Sequence, residues 1–198
     1  MLRHDHAPMD PTALIITLRM EDSAAEHFTR LRQAHFPAHR NWLDAHVTLF
    51  HALPVTALDE VLADVADLAG RTEAFALAVD RVLFLGGGVA YAMTSETGLA
   101  LRDALVVRWT PLLGRQDRAW HGPLHVTVQN KVESAVARQL HAELAREFVP
   151  HAVQATGLQV WYYVGGPWEH VATFPFAEPG AAANAPAPSP ASRSSAAS

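Results

Sequence analysis

One series of elements, β-α-β-α-β, can be read twice along this 198-residue chain, and that order constrains the fold more than any other feature. In the first pass, 13–20 (ALIITLRM) is a β-rich apolar run. Residues 22–35 carry a helical pattern, with Ser23 as expected cap, Glu26 three residues on and Pro37 past the end. A strand is expected over 46–52, and a helix over 56–69 opened by Thr56 and Asp59 and closed by Gly70. A strand over 75–85 and a glycine turn at 86–88 end the pass. The second pass expects strand 89–95, helix 97–113 broken by Pro111, strand 125–130, helix 133–148 and strand 156–164. A GGPW turn at 165–168 and a last strand at 170–176 complete the chain. Identity between the halves is slight, so the repeat is one of element order.

Two residue-level coincidences reinforce it. Residues 46–49 read His-Val-Thr-Leu and residues 125–128 read His-Val-Thr-Val, 79 positions apart at equivalent points of the two passes. On a strand, residues i and i+2 share a face. His46 and Thr48 therefore face one way with Val47 and Leu49 behind them, and His125 and Thr127 repeat the arrangement over Val126 and Val128. A third His-x-Thr, His27-Phe28-Thr29, falls in a helical segment where i and i+2 diverge, and Arg30 breaks its alternation, which marks it as a decoy. Upstream, Arg40-x-Trp42 and Arg118-x-Trp120 stand at nearly equal offsets before His46 and His125, in expected loops that could rim a site.

Composition removes other chemistries. With no cysteine there is no disulfide, thiolate or Cys-based zinc site. The net charge of −5, with Lys131 the sole lysine, is unsuited to a long nucleic-acid track but leaves room for a small anion at a local cationic spot. The uncharged stretch over 82–95 is too short for a span and is broken by glycines, so no membrane segment is expected. A cytoplasmic protein is expected from the N-terminus, which lacks a signal-peptide core. Residues 1–11 read as a lead-in, 12–176 as the folded part, with lobes of about 12–88 and 89–176, and the Ala/Pro/Ser-rich 177–198 as a disordered tail.

The paired HVTΦ strands within the twice-repeated series resemble the two-histidine phosphoesterases, which include the 2′,5′ RNA ligase-like proteins. The resemblance covers about 12–176. It implies an α+β fold of two lobes, related by a pseudo-twofold, whose antiparallel sheets line a central cleft. It implies that His46 and His125 act as acid and base on a phosphodiester and that Thr48 and Thr127 hold its oxygens. It implies a 2′-phosphate product with the 3′-oxygen leaving.

The chemistry suits these residue types. In-line opening of a cyclic phosphate needs one group to take a proton and another, across the phosphorus, to give one. Histidine populates both forms near neutral pH, and each such group is worth about 10²–10⁴-fold. Hydroxyls donate where negative charge must be held. The expected function is metal-independent opening of 2′,3′-cyclic phosphates of a small nucleotide or an RNA 3′ end, by a monomer without cofactor. Arg40, Arg118, Trp42, Trp120 and Tyr91 are candidate substrate contacts, and Phe50, Gln129, Tyr163 and Trp168 could also line the cleft. Three rivals stand beside this reading: 2′,5′ ligation of RNA ends, a nucleotide-binding module without turnover, and a zinc site using His51 or His121. No HExxH supports the last. Residues alone do not assign acid and base between His46 and His125.

Overall fold

The computed structural model describes residues 10–177. The expected lead-in and tail lie almost wholly outside those residues. The first pass forms β1 (Ala13–Met20), α1 (Asp22–His35), β2 (Val47–Leu53), α2 (Leu58–Gly70) and β3 (Phe75–Phe84). The second forms β4 (Val89–Thr94), α3 (Glu96–Trp109), a short α4 (Arg115–Arg118), β5 (Leu124–Gln129), α5 (Ser134–Glu147) and β6 (His151–Tyr163), with β7 (Trp168–Pro175) last. The fold is α+β. Among the described residues, no helix is long and apolar enough to cross a membrane.

All strand pairs are antiparallel, in the order β1-β2-β5-β4-β3-β6, and β6 pairs back onto β1. The expected antiparallel sheets are thus joined into one closed ring. β6 achieves this by its length: 151–155 pair with β3, while 157–163 pair with β1 on one edge and β7 on the other. Exchanging β1, β2, β3 with β4, β5, β6 leaves this ring order unchanged, as a pseudo-twofold requires. The dyad passes through the one β2–β5 register pair, Val47 opposite Val126. These are the residues that follow the two motif histidines.

Burial explains the patterns. Leu14, Ile15, Ile16, Thr17 and Leu18 of β1 are all buried, as a near-continuous apolar run demands of a strand covered on both faces. β2 and β5 instead alternate at their motif positions, with Val47, Leu49, Val126 and Val128 at most 1% exposed and Thr48, His125 and Thr127 half-buried. Phe28, Trp109, Phe50 and Leu105 fill the core. α1 packs on β5 and α3 on β3, so the helices tie strands beyond their own neighbours in sequence.

Several boundaries differ from the sequence reading. Ser23 does not cap α1; the helix begins at Asp22, and its Glu21 cap instead accepts the Gln154 amide through its side chain. Thr56 lies in a 3₁₀ turn over Val55–Ala57, and α2 starts at Leu58 without a side-chain cap. α3 is capped by Ser95, whose hydroxyl accepts from the Gly98 amide at 3.2 Å, and ends at Trp109, ahead of Pro111. β6 starts at His151, because its first five residues find a partner in β3 that local sequence does not reveal. Ala177, counted with the tail, bridges Glu73 and donates its amide to the Thr72 carbonyl, so it belongs to the fold.

Candidate active site

The antiparallel register through Val47 and Val126 sets the site. Extended by one residue each way, it puts His46 opposite Thr127 and Thr48 opposite His125. Each histidine position thus lies across the dyad from the other repeat's threonine position. Beside them, β4 offers only Ala92 and Ala90, in register with His125 and Thr127, which keeps that flank low. On the other flank Thr17 pairs with Thr48, and its hydroxyl accepts from the Trp161 indole at 2.9 Å.

Both rings are held the same way. His46 Nδ1 donates to the Asp44 carbonyl at 2.8 Å and His125 Nδ1 to the Pro123 carbonyl at 3.1 Å. A carbonyl only accepts, so Nδ1 carries the proton and Nε2 is left for a ligand. Neither Nε2 nor either threonine hydroxyl has a hydrogen-bond partner among the described residues. Trp168 packs beside His46, with ring centroids 4.5 Å apart. Burial pushes the His46 imidazole down to about 4; the hydrogen bond to the Asp44 carbonyl, the second-largest influence, opposes this, and the nearby Arg32, His125 and His51 charges lower it further. His46 is therefore neutral at pH 7. A cavity of about 330 Å³ opens over it, walled by Leu18, Arg19, Trp42, Gln159, Trp161 and Trp168; it reaches His46 but not His125.

Two buried arginines hold the motif strands, and sequence reasoning missed both. Arg32, 5% exposed, reaches from α1 to the Thr127 carbonyl at 3.0 Å, and its Nε donates to Asn41 Oδ1 and the Leu43 carbonyl. Arg102, 4% exposed, reaches from α3 to the Leu49 carbonyl at 3.2 Å and the Asp117 carbonyl at 2.8 Å. Each lies on an aromatic face, Arg32 over Phe36 at 4.0 Å and Arg102 over Trp120 at 4.1 Å. Burial lowers both guanidinium pKa values, that of Arg32 to about 10, which leaves it cationic. Since β2 and β5 pair in register only at the dyad, the arginines satisfy strand carbonyls that the partner strand does not. Their signal was legible: Arg32 follows Ala24 and Phe28 at four-residue steps on the apolar stripe. Asp117 was also missed. Its buried carboxylate accepts the His51 and Ala52 amides and His51 Nδ1, which pins the far end of β2. Burial alone would raise it, but those donors hold it below the ordinary carboxylate value.

The remaining candidates separate. Trp42 is 56% exposed and walls the cavity, and Arg40 lies beyond it. Arg118 and Trp120 do not occupy equivalent places. Arg118 sits in α4 and spends its guanidinium on the Leu113 and Thr110 carbonyls, while Trp120 is the platform for Arg102. Tyr91 pairs in register with Val126, so it points to the face opposite His125 and packs between Phe28 and Phe148. Phe50 is wholly buried, and the buried Gln129 Oε1 has no partner among the described residues. Among those residues no three His, Asp or Glu side chains converge as a metal-binding group.

A closed antiparallel ring carrying two dyad-related His-x-Thr strands defines the two-histidine phosphoesterase class. Residues 20–167 match the model of the 2′-5′ RNA ligase superfamily, and the chain belongs to that superfamily. No curated protein sequence matches it significantly. Among solved structures it is similar to TT0787 of Thermus thermophilus, with TM-score 0.60 and 14% identity, over 85% of this chain and all of that one. It is also similar to E. coli LigT, solved with 3′-AMP, with TM-score 0.56 and 19% identity, over 84% of this chain and 99% of that one. At these identities the likeness is one of fold.

Proposed function

We propose that this protein is a metal-independent phosphodiesterase that opens 2′,3′-cyclic phosphates to 2′-phosphates. The observation that carries this reading is the Val47–Val126 register, which brings the two His-x-Thr motifs side by side with both Nδ1 atoms held by backbone carbonyls and both Nε2 atoms free of partners among the described residues. In the proposed reaction His46, neutral because of its burial, takes the proton of the attacking water. His125, protonated, gives one to the departing 3′-oxygen from the opposite side of the phosphorus. Thr48 and Thr127 donate to the non-bridging oxygens. Trp42 and Trp168 line the His46 cavity and offer it aromatic faces on which a base stacks.

The test is turnover of 2′,3′-cyclic AMP with EDTA present, product identity being read by ³¹P NMR. Expected are EDTA-resistant formation of the 2′-phosphate alone and a loss of at least about 10²-fold in His46→Ala and in His125→Ala, both folded by circular dichroism. EDTA-sensitive turnover, or a histidine variant near wild-type rate, overturns the proposal. Nucleotide binding without turnover would assign the chain to a binding module instead, and joining of RNA ends without hydrolysis to a ligase.

A further inference from the structure

The chain's sole lysine sits in an unusual place. Lys131 is the one non-glycine residue with positive φ among the described residues, at 62°. L side chains avoid that region unless the surroundings hold them there. Here Asn130 Oδ1 accepts the Lys131 amide at 2.7 Å, the Val132 amide donates to the Gly87 carbonyl, and Gly88 lies so close to Gln129 and Asn130 that a Cβ would meet their backbone. The bend is therefore clamped by the β3–β4 turn.

There it shares a cavity of about 390 Å³ with Arg40, Phe36, Trp42, Tyr163 and the Gly165–Gly166 turn. Neither the Arg40 guanidinium nor the Lys131 amine has a hydrogen bond or ion pair among the described residues, and no carboxylate lines the cavity. Two unpaired cations in an aromatic-walled pocket attract an anion. Trp42 lines both this cavity and the one over His46, so the two adjoin at its ring. Trp42 is set in place by Gly166, where a Cβ would overlap its ring.

We propose that Arg40 and Lys131 form a second phosphate subsite, so that the preferred substrate carries another phosphate group beyond the reacting one. This rests on the phosphodiesterase reading for its catalytic station. Two sources supply that chemistry: the internucleotide phosphate of an RNA end, or the pyrophosphate of an ADP-ribose cyclic phosphate.

The test compares wild type, Lys131→Asn, which removes the charge yet tolerates the left-handed backbone, Lys131→Arg, which restores charge, and Arg40→Ala. Substrates are 2′,3′-cyclic AMP, the dinucleotide ApA ending in a 2′,3′-cyclic phosphate, and ADP-ribose 1″,2″-cyclic phosphate. Expected is a rise in KM of about tenfold for one or both two-phosphate substrates in Lys131→Asn and Arg40→Ala, with kcat kept. Lys131→Asn should leave 2′,3′-cyclic AMP unchanged, and Lys131→Arg should recover most of the affinity. The substrate that responds identifies the source. Equal losses on the mononucleotide, or none on either two-phosphate substrate, overturn the subsite. Should wild type turn over none of them, the catalytic reading fails by itself, and calorimetric titration still decides the subsite. ApA ending in a 2′-phosphate, or the ring-opened ADP-ribose phosphate, should bind wild type more tightly than 2′-AMP, with that advantage lost in Lys131→Asn; affinities equal to that of 2′-AMP for both overturn it.

Discussion

At the residue scale, His46 carries the strongest consequence. Its imidazole, ordinarily near 6.5, is lowered to about 4 by burial. A base must be unprotonated to act, so in the proposed reaction the acid limb of kcat/KM falls near pH 4 rather than near 6.5, measurable in a buffer series from about pH 3.5 to 8. The same shift acts on stability. Between pH 6.5 and about 4 the unfolded chain binds a proton at this position that the folded chain does not, so stability is full above 6.5 and is lost as pH falls through 4. Thermal melts of His46→Asn should therefore lose less stability between about pH 6.5 and 4.5 than wild type does. A melting curve as steep in the variant would remove His46 as the cause. The histidines and threonines were legible one by one, because a strand's period of two names the face each occupies. The state of His46 was not, since it depends on Trp168 and on charges brought from α1 and β5.

At the scale of elements, the decisive feature is how loosely β2 and β5 pair. The strands meet in register at Val47 and Val126, and helix arginines take carbonyls to either side. The cleft is thus held by two cations that belong to the opposite repeats' helices. Arg32→Ala leaves the Thr127 and Leu43 carbonyls without this donor and should cost about 2–4 kcal/mol of stability. Arg32→Lys keeps the charge, but a single amine cannot serve both the Thr127 carbonyl and the Asn41–Leu43 loop. It should fold, with turnover reduced about tenfold through displacement of Thr127. Wild-type turnover in Arg32→Lys would show that strand placement does not depend on the fork. The Arg-x-Trp pairing illustrates what similarity of sequence conceals. In one repeat its tryptophan walls the cavity; in the other it supports Arg102. Similar offsets from a motif do not fix a rotamer's neighbours: the first repeat has a 3₁₀ turn over Ala38–Arg40 where the second has α4, and Arg118 of α4 turns toward helix-end carbonyls.

At the scale of the molecule, ring closure makes the two repeats one cooperative unit. β6 pairs with β1 and β3, and its Leu158 is fully buried opposite Leu18. Leu158→Ala should cost about 2–5 kcal/mol. That loss should appear equally in hydrogen exchange of β2 and β5; a loss confined to one repeat would contradict a closed ring. Local residue pattern was enough for the main element types, their twofold repetition and the faces of both His-x-Thr motifs, because these follow from periodicity within a few neighbouring residues. It also determined the family resemblance that those motifs carry. Packing between distant segments settled that the sheet closes, that the two His-x-Thr motifs lie side by side across the dyad, that Arg32 and Arg102 hold the cleft, and that Tyr91 turns away from it. Those outcomes depend on register and packing between residues far apart in the chain, as the Leu49–Arg102 and Thr17–Trp161 bonds illustrate, at separations of 53 and 144. Local pattern carries no record of which strand edge or which carbonyl will be vacant when distant segments meet.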